Sequence, residues 1–336
     1  MVLLLAAMPV QVWAFDAAAV QSCAKLKSTT KRLQCYDSAV GRHGVRPKGP
    51  LPGPSESPPR STAAFVGQPR VEPPAVGRLE RRWLVVPKNG QEPFLLTYYK
   101  PVYALPASYN TRPNQNPSGA RDKAHFSHLE IKFQFSFKAR LWPNLLLNGG
   151  DLWFGYTQLS FWQAYKASSP FRETNYEPEL IYSLRTHFNL FGLHGRVLTL
   201  SLDHQSNGRS GALSRSWNRI IGGALFDNGD LSFQLRAWWR IPEPTGSDDN
   251  PDIEDYVGRG EFWGFYRHNE QTFGLMLRSN LDPEHVRGAM QFNWVVPLGG
   301  PLKGYLQWFY GYGESLIDYN HVNDRLSLGL MLVDWL

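Results

Sequence analysis

Glu130-Ile131-Lys132-Phe133-Gln134-Phe135-Ser136-Phe137-Lys138-Ala139-Arg140 alternates without a break: the even positions are polar and the odd positions apolar. A period of two sustained over eleven residues is a β-strand with one greasy face and one wet face. In a soluble sandwich the greasy face points inward. In a transmembrane barrel it meets lipid, and the charges line the lumen. Length selects the second arrangement, because a tilted strand needs about 9–11 residues to cross the hydrocarbon.

Similar segments recur at Leu152–Gln163, Arg196–Ser206, Trp217–Phe226, Leu231–Ile241, Gly260–His268, Thr272–Asn280, Ala289–Val296, Lys303–Tyr312 and Arg325–Leu336. The 247 residues from Gly90 to Leu336, at about 20 per strand and loop, hold roughly 12 strands. Intervening stretches such as Pro242–Asp255 carry Gly, Pro and Asp, as loops do. The fold class is therefore all-β: an antiparallel transmembrane β-barrel of about 12 strands over residues 81–336. Composition agrees, with 14% aromatic residues, 12 Trp and only 19% charged residues among 336. No run of about 18 apolar residues exists, which excludes a bundle of membrane helices. The net charge of +6 is scattered, which argues against a nucleic-acid partner.

Ahead of the barrel, residues 1–14 are apolar except for Gln11 and end at Ala14, the pattern of a secretory signal peptide whose positive start lies upstream. Residues 15–40 carry the only two cysteines, Cys23 and Cys35. In an exported chain these most simply form one disulfide, here clipping a small helical periplasmic appendage. Residues 41–80 are rich in Pro, Gly, Ser and Arg, too poor in apolar surface to fold, and read as a linker.

The chemistry concentrates in Asp203-His204-Gln205-Ser206-Asn207-Gly208 and Ser216-Trp217-Asn218-Arg219. His204 and Ser206 stand two apart at a strand end, so both project from one face. That sets a base beside a hydroxyl that is inert until an imidazole accepts its proton. After the Asn207-Gly208 turn signal the chain can return as the next strand, bringing Asn218 to hold the imidazole through its Nδ1–H. An amide does this without the charge an Asp would bring to an apolar surface. The row before His204 is Leu198, Leu200 and Leu202, and Asn218 shares parity with Ile220, Ala224 and Phe226. The trio thus continues the lipid-facing rows, where the abundant substrate is lipid. His-x-Ser alone arises by chance; an ionisable His on a lipid-facing row usually marks function.

These motifs, with Ser168-Ser169-Pro170-Phe171-Arg172-Glu173-Thr174-Asn175-Tyr176-Glu177-Pro178, Asp248-Asp249-Asn250-Pro251-Asp252-Ile253, Gly311-Tyr312-Gly313-Glu314-Ser315-Leu316-Ile317-Asp318-Tyr319-Asn320 and Met331-Leu332-Val333-Asp334, resemble the outer-membrane phospholipase A family from about Glu92 onward. The resemblance implies a 12-stranded outer-membrane barrel that hydrolyses acyl esters of glycerophospholipids, with A1, A2 and lysophospholipase activity. It implies Ser206 as nucleophile, His204 as general base and Asn218 as the orienting residue. It also implies one Ca2+ per active site at the interface of a homodimer that is the active form. Its ligands would be the Arg209 carbonyl, the Ser214 side chain and Ser168 contributed by the partner subunit. A backbone N–H near Gly208 would share the oxyanion, and Gln158 would pair across the dimer within the membrane. One departure stands out: relatives often carry Asp where this chain has Gly211, which removes ligand charge from the calcium loop.

Two other classes compete with the hydrolase. A catalytically silent barrel, either a channel or a structural protein, would leave the trio idle. A soluble secreted esterase would put the greasy strand faces inside.

Overall fold

The structure is a computed structural model that describes residues 22–23, 26, 28–32, 35, 82–83, 95–117, 125–146 and 150–334. The signal peptide expected over residues 1–14 and the linker expected over 41–80 lie outside the described residues. The chain divides into two units, residues 1–71 and 72–336. In the first, Cys23 and Cys35 are joined by a disulfide, their Cα atoms 5.5 Å apart. Residues 22–23, 29–32 and 35 are helical.

The second unit is one antiparallel sheet. Its strands are β1 (Leu96–Tyr98), β2 (Val102–Asn110), β3 (Leu129–Trp142), β4 (Asp151–Trp162), β5 (Phe171–Leu190), β6 (Leu193–Ser206), β7 (Ser216–Asn228), β8 (Leu231–Ile241), β9 (Gly260–His268), β10 (Gln271–Ser279), β11 (Gly288–Gly299), β12 (Leu302–Gly311) and β13 (Asn323–Val333). Each strand from β3 to β13 pairs with its successor, and β13 pairs with β2, which pairs with β3. The sheet therefore closes. Both β1 and β2 lie along β3, interrupted at Tyr99-Lys100-Pro101, so they occupy one staff of a 12-stranded barrel. The roughly twelve strands read from the sequence match this count.

Two strands escape the sequence pattern. β2 is broken by Pro106 and by a register shift between Leu105 and Ser108, and it turns the apolar Tyr103 and Leu105 inward. β5 carries Pro178 in its middle and an acidic inner row of Glu173, Glu177 and Glu179. A proline cannot donate to the ladder, so that stretch reads as a break rather than a wall strand.

Elsewhere the alternation holds. Glu130, Lys132, Ser136, Lys138 and Arg140 of β3 are buried in the lumen, while Phe135 on the outer face is 50% exposed. On β6 the outward Leu200 and Leu202 are exposed and the inward Ser201 and Asp203 are buried. The lumenal charges pair with one another. Arg325 bonds Glu130 and Glu314, each at 2.8 Å, and Arg172 bonds Asp318 at 2.7 Å and Glu130 at 3.0 Å. Lys132 meets Glu314 at 2.8 Å, and Arg219 meets Asp203 at 2.6 Å. These pairs fill the interior around a cavity of about 190 Å³, the packed lumen expected of a narrow barrel rather than a wide aqueous bore.

The two ends differ. At one end the turns are short apart from the 143–150 connection: Phe191-Gly192 links β5 to β6 with both residues at positive φ (51° and 82°), the two-residue turn that suits the twist of a hairpin. At the other end run the longer connections 111–128, 163–170, 207–215, 242–259, 280–287 and 312–322. In outer-membrane barrels the short turns are periplasmic and the long loops face outward. The sequence-predicted trio sits at the long-loop end.

Candidate active site

His204 is the antepenultimate residue of β6 and Asn218 the third of β7, and the ladder sets them directly opposite each other. His204 Nδ1 and Asn218 Oδ1 are 2.8 Å apart. An amide oxygen only accepts, so this contact fixes the imidazole as the tautomer carrying hydrogen on Nδ1 and leaves Nε2 as the basic nitrogen. Ser206 follows His204 on the same outward row, opposite Ser216, about 6.6 Å further along the strand. His204 is exposed, while Ser206 and Asn218 are half-buried. Inward neighbours Asp203 and Arg219 are paired with each other inside the lumen, so the barrel's own charge network leaves the outer trio alone.

The loop after Ser206 is held by one buried side chain. Asn207 Nδ2 donates to the Leu213 carbonyl (2.8 Å), and its Oδ1 accepts from the N–H groups of Arg215 (3.0 Å) and Arg209 (3.3 Å). Gly208 sits within this clasp at φ +63°, where an added Cβ would stand 3.1 Å from the Tyr176 ring; a side chain here is strained and crowded at once. The Arg209 side chain turns inward, its Nε 3.3 Å from Glu173 and its Nη2 donating to the Arg172 carbonyl. Its charge is thereby kept off the loop.

A second loop closes over the first. Asn250 is buried and accepts from the Ser216 N–H at 3.0 Å, while Arg240 bonds Asp248 at 2.6 Å. The short helix α1 (Ile253–Val257) anchors the loop through the buried Ile253 and Val257. This clasp delivers two acidic groups that the sequence pattern does not flag. Asp249 Oδ2 accepts from Ser214 Oγ at 2.5 Å, and Glu243 Oε1 accepts from Asn218 Nδ2 at 3.0 Å. The structure thus brings His204 to Asn218 and Ser214 to a carboxylate. Ser168 is exposed in the separate 163–170 loop. Gln158 faces outward on β4, bonded to Tyr156 and Ser160 at 3.2 Å each, on the face predicted for it.

A further acidic group, Glu177, Glu179 and Asp203, gathers carboxylate oxygens within 4.8 Å inside the lumen. Lys100, Arg219 and Arg236 already take the cation positions around it, at 2.7, 2.6 and 3.3 Å. It belongs to the structural ion-pair network.

Comparison with known proteins agrees with this geometry. The family model described as Phospholipase A1 matches residues 79–332. A putative phospholipase A1 of Neisseria meningitidis serogroup B is 41% identical over 249 residues, which span 70% of this chain and 65% of that protein, just under two thirds of its length. Among solved structures, outer membrane phospholipase A from Escherichia coli superposes with a TM-score of 0.67 at 33% identity, covering 71% of this chain and 94% of that one. The Salmonella typhi outer membrane phospholipase, solved as a dimer with bound calcium, gives 0.67 at 33%, covering 73% and 94%. With its closed 12-stranded wall, this chain belongs to the phospholipase A1 family, carboxylic ester hydrolases of the outer membrane, and is itself an integral outer-membrane β-barrel.

Proposed function

We propose that this barrel hydrolyses acyl ester bonds of glycerophospholipids through Ser206, His204 and Asn218 on its lipid-facing wall. The observation that carries the reading is the 2.8 Å contact between His204 Nδ1 and Asn218 Oδ1, set by the β6–β7 ladder on the row that carries Leu198, Leu200 and Leu202. The contact leaves Nε2 free to take the Ser206 proton as the hydroxyl oxygen attacks the ester carbonyl. The tetrahedral intermediate collapses with expulsion of the lysolipid alcohol, which regains that proton from His204. Water, deprotonated by the same imidazole, then releases the fatty acid from Ser206. The Gly208 N–H supplies a donor for the oxyanion.

The loops fit a calcium ion. Ser214 Oγ and the Asp249 carboxylate are in contact, and the Arg209 carbonyl belongs to the same 207–215 loop as Ser214; these are oxygen donors without thiolate or imidazole, the donor chemistry that calcium takes. The Salmonella typhi relative holds calcium as a dimer. In this chain the ion, one per active site, would be held by Arg209, Ser214 and Asp249 together with Ser168 of the partner subunit, in a homodimer that also buries Gln158. When bound, the cation would supply positive charge that stabilises the oxyanion. Monomer and dimer are then off and on states of one enzyme.

The test is fatty-acid release from phospholipid–detergent micelles by the refolded full chain, with calcium and with excess chelator, beside Ser206→Ala. Release is expected to need both calcium and Ser206. Undiminished release by Ser206→Ala would remove the proposed nucleophile, and single-channel conductance without hydrolysis would favour a silent barrel.

A further inference from the structure

We infer that Glu243 is a positioning residue for the acyl-transfer step, acting through Asn218. The inference rests on the triad reading above. Asn218 is used at both ends of its amide: Oδ1 receives His204 Nδ1–H at 2.8 Å, and Nδ2 donates to Glu243 Oε1 at 3.0 Å.

The two ends of a carboxamide have nearly the same shape, so an isolated Asn can turn over and exchange oxygen for nitrogen. Turned over, Asn218 would offer N–H to Nδ1. That favours the tautomer with hydrogen on Nε2, which cannot accept a proton from Ser206. Packing against hydrocarbon distinguishes the two orientations poorly. A carboxylate distinguishes them strongly, because it accepts hydrogen bonds and cannot donate. Glu243 therefore locks the amide so that its oxygen faces His204, and the lock fixes the tautomer that catalysis needs. A charge-assisted bond to Nδ2 also polarises the amide and strengthens the Oδ1 acceptor.

The placement explains how a negative charge serves this site at all. Asn218 lies on the outward row of β7, where a carboxylate would face lipid; Glu243 lies two residues beyond the end of β8, in the 242–259 loop. Charge reaches the imidazole through one neutral amide, and the carboxylate itself stays at the rim. Pro242 and Pro244 flank Glu243, restricting the backbone on both sides of the side chain that makes the bond.

The experiment uses the refolded full chain in micelles of phosphatidylcholine and detergent at saturating calcium, with folding checked by heat-modifiable migration on gels. Glu243→Ala is expected to lower kcat about 10- to 100-fold, the range for losing one charge-assisted hydrogen bond. KM should stay within about twofold, since Glu243 acts through Asn218 rather than on the lipid. In an Asn218→Ala background the same change should cost less than about twofold, because the residue it acts through is gone. In an Asn218→Asp background the sign should reverse: two carboxylates would then face each other, and Glu243→Gln, whose amide can donate to the introduced carboxylate, should raise kcat. The inference is overturned if Glu243→Ala keeps kcat within about twofold, or if it costs the same factor with Asn218 absent. Ser206→Ala is run in parallel. If that variant still hydrolyses lipid, the triad reading has failed; if it is dead while Glu243→Ala is fully active, only the role of Glu243 has failed.

Discussion

Gly211→Asp should tighten calcium activation. Gly211 is exposed at φ +63°, and a Cβ built on it meets nothing within 4 Å, so the side chain has room. The conformation is left-handed, which costs most residues roughly 1–2 kcal/mol but is among the milder cases for Asp. Its carbonyl accepts from the Ser214 N–H at 2.9 Å, so the new carboxylate would rise from the same turn that presents the Ser214 hydroxyl. The proposed donor set has one carboxylate in the chain, that of Asp249, and ligand charge is what most sharply tunes calcium affinity. A second carboxylate worth about 2–3 kcal/mol, less about 1 kcal/mol of backbone strain, leaves roughly a tenfold lower half-activating calcium concentration. The assay is a calcium titration of fatty-acid release at fixed dimer concentration, paired with equilibrium calcium binding. A half-activating concentration that is unchanged or raised, in variant protein that is folded and dimeric, would refute the placement of the ion between the 207–215 and 242–259 loops. Asp249→Asn provides the opposite sign: it should raise the requirement by a similar factor.

Two further predictions concern the barrel itself. Arg325 is 1% exposed and bonds both Glu130 and Glu314, so Arg325→Ala leaves each buried carboxylate with one cation instead of two, Arg172 or Lys132, and should cost about 3 kcal/mol. Urea unfolding followed by tryptophan fluorescence measures this, and adding Glu314→Gln should recover part of the loss; a loss below about 0.5 kcal/mol would show that the pairs carry little stability. Asp318, in the 312–322 loop, is pushed up by burial but held below the ordinary carboxylate range by Arg172 and by bonds from Ser315 and Asn114. A depressed carboxylate contributes stability above its unfolded value of about 3.9 and loses it as pH falls through the lower folded value. Asp318→Asn should therefore be less stable than the parent at neutral pH and flatter below about pH 4, and parallel acid-unfolding curves would contradict it.

How far the fold was legible depended on which strands alternate cleanly. β3 announces both its conformation and its environment, because lipid outside and ion pairs inside demand opposite chemistries at successive residues. β5 has the same inner and outer rows, yet Pro178 and three glutamates disguise them. Its ladders, to β4 from Asp151–Ser183 to Trp162–Phe171 and to β6 from Tyr176–Ser206 to Leu190–Leu193, show it to be a wall strand. The site divides in the same way. The placing of His204 and Ser206 on one row with Asn218 opposite His204 was legible because strand parity fixes which side chains share a face and a β6–β7 return pairs the two strands. Glu243 and Asp249 could not, since they reach the site through a loop clasped by Asn250, Arg240 and α1. Such clasps are contacts between residues from 8 to 35 apart, and they leave no period in the sequence.

The division between these groups has an electrostatic logic. On the inner face, full charges are tolerated because each meets an opposite one: Arg219 lies 2.6 Å from Asp203, one residue away in sequence from the proposed catalytic row. On the outer face hydrocarbon offers no counter-ion, and a lone carboxylate there would be costly. The trio accordingly contains no carboxylate: it is a hydroxyl, an imidazole and an amide. The charges proposed to assist it, those of Glu243 and Asp249, stand in the loops, where water reaches them. This also accounts for why the trio sits at the strand ends. On the proposed mechanism, a His204 two residues deeper in the wall could not become an imidazolium without fuller desolvation. Two residues further out, Ser206 would leave the row along which an acyl ester approaches. The end of β6 is the depth at which a lipid carbonyl and a transient positive charge can both be accommodated.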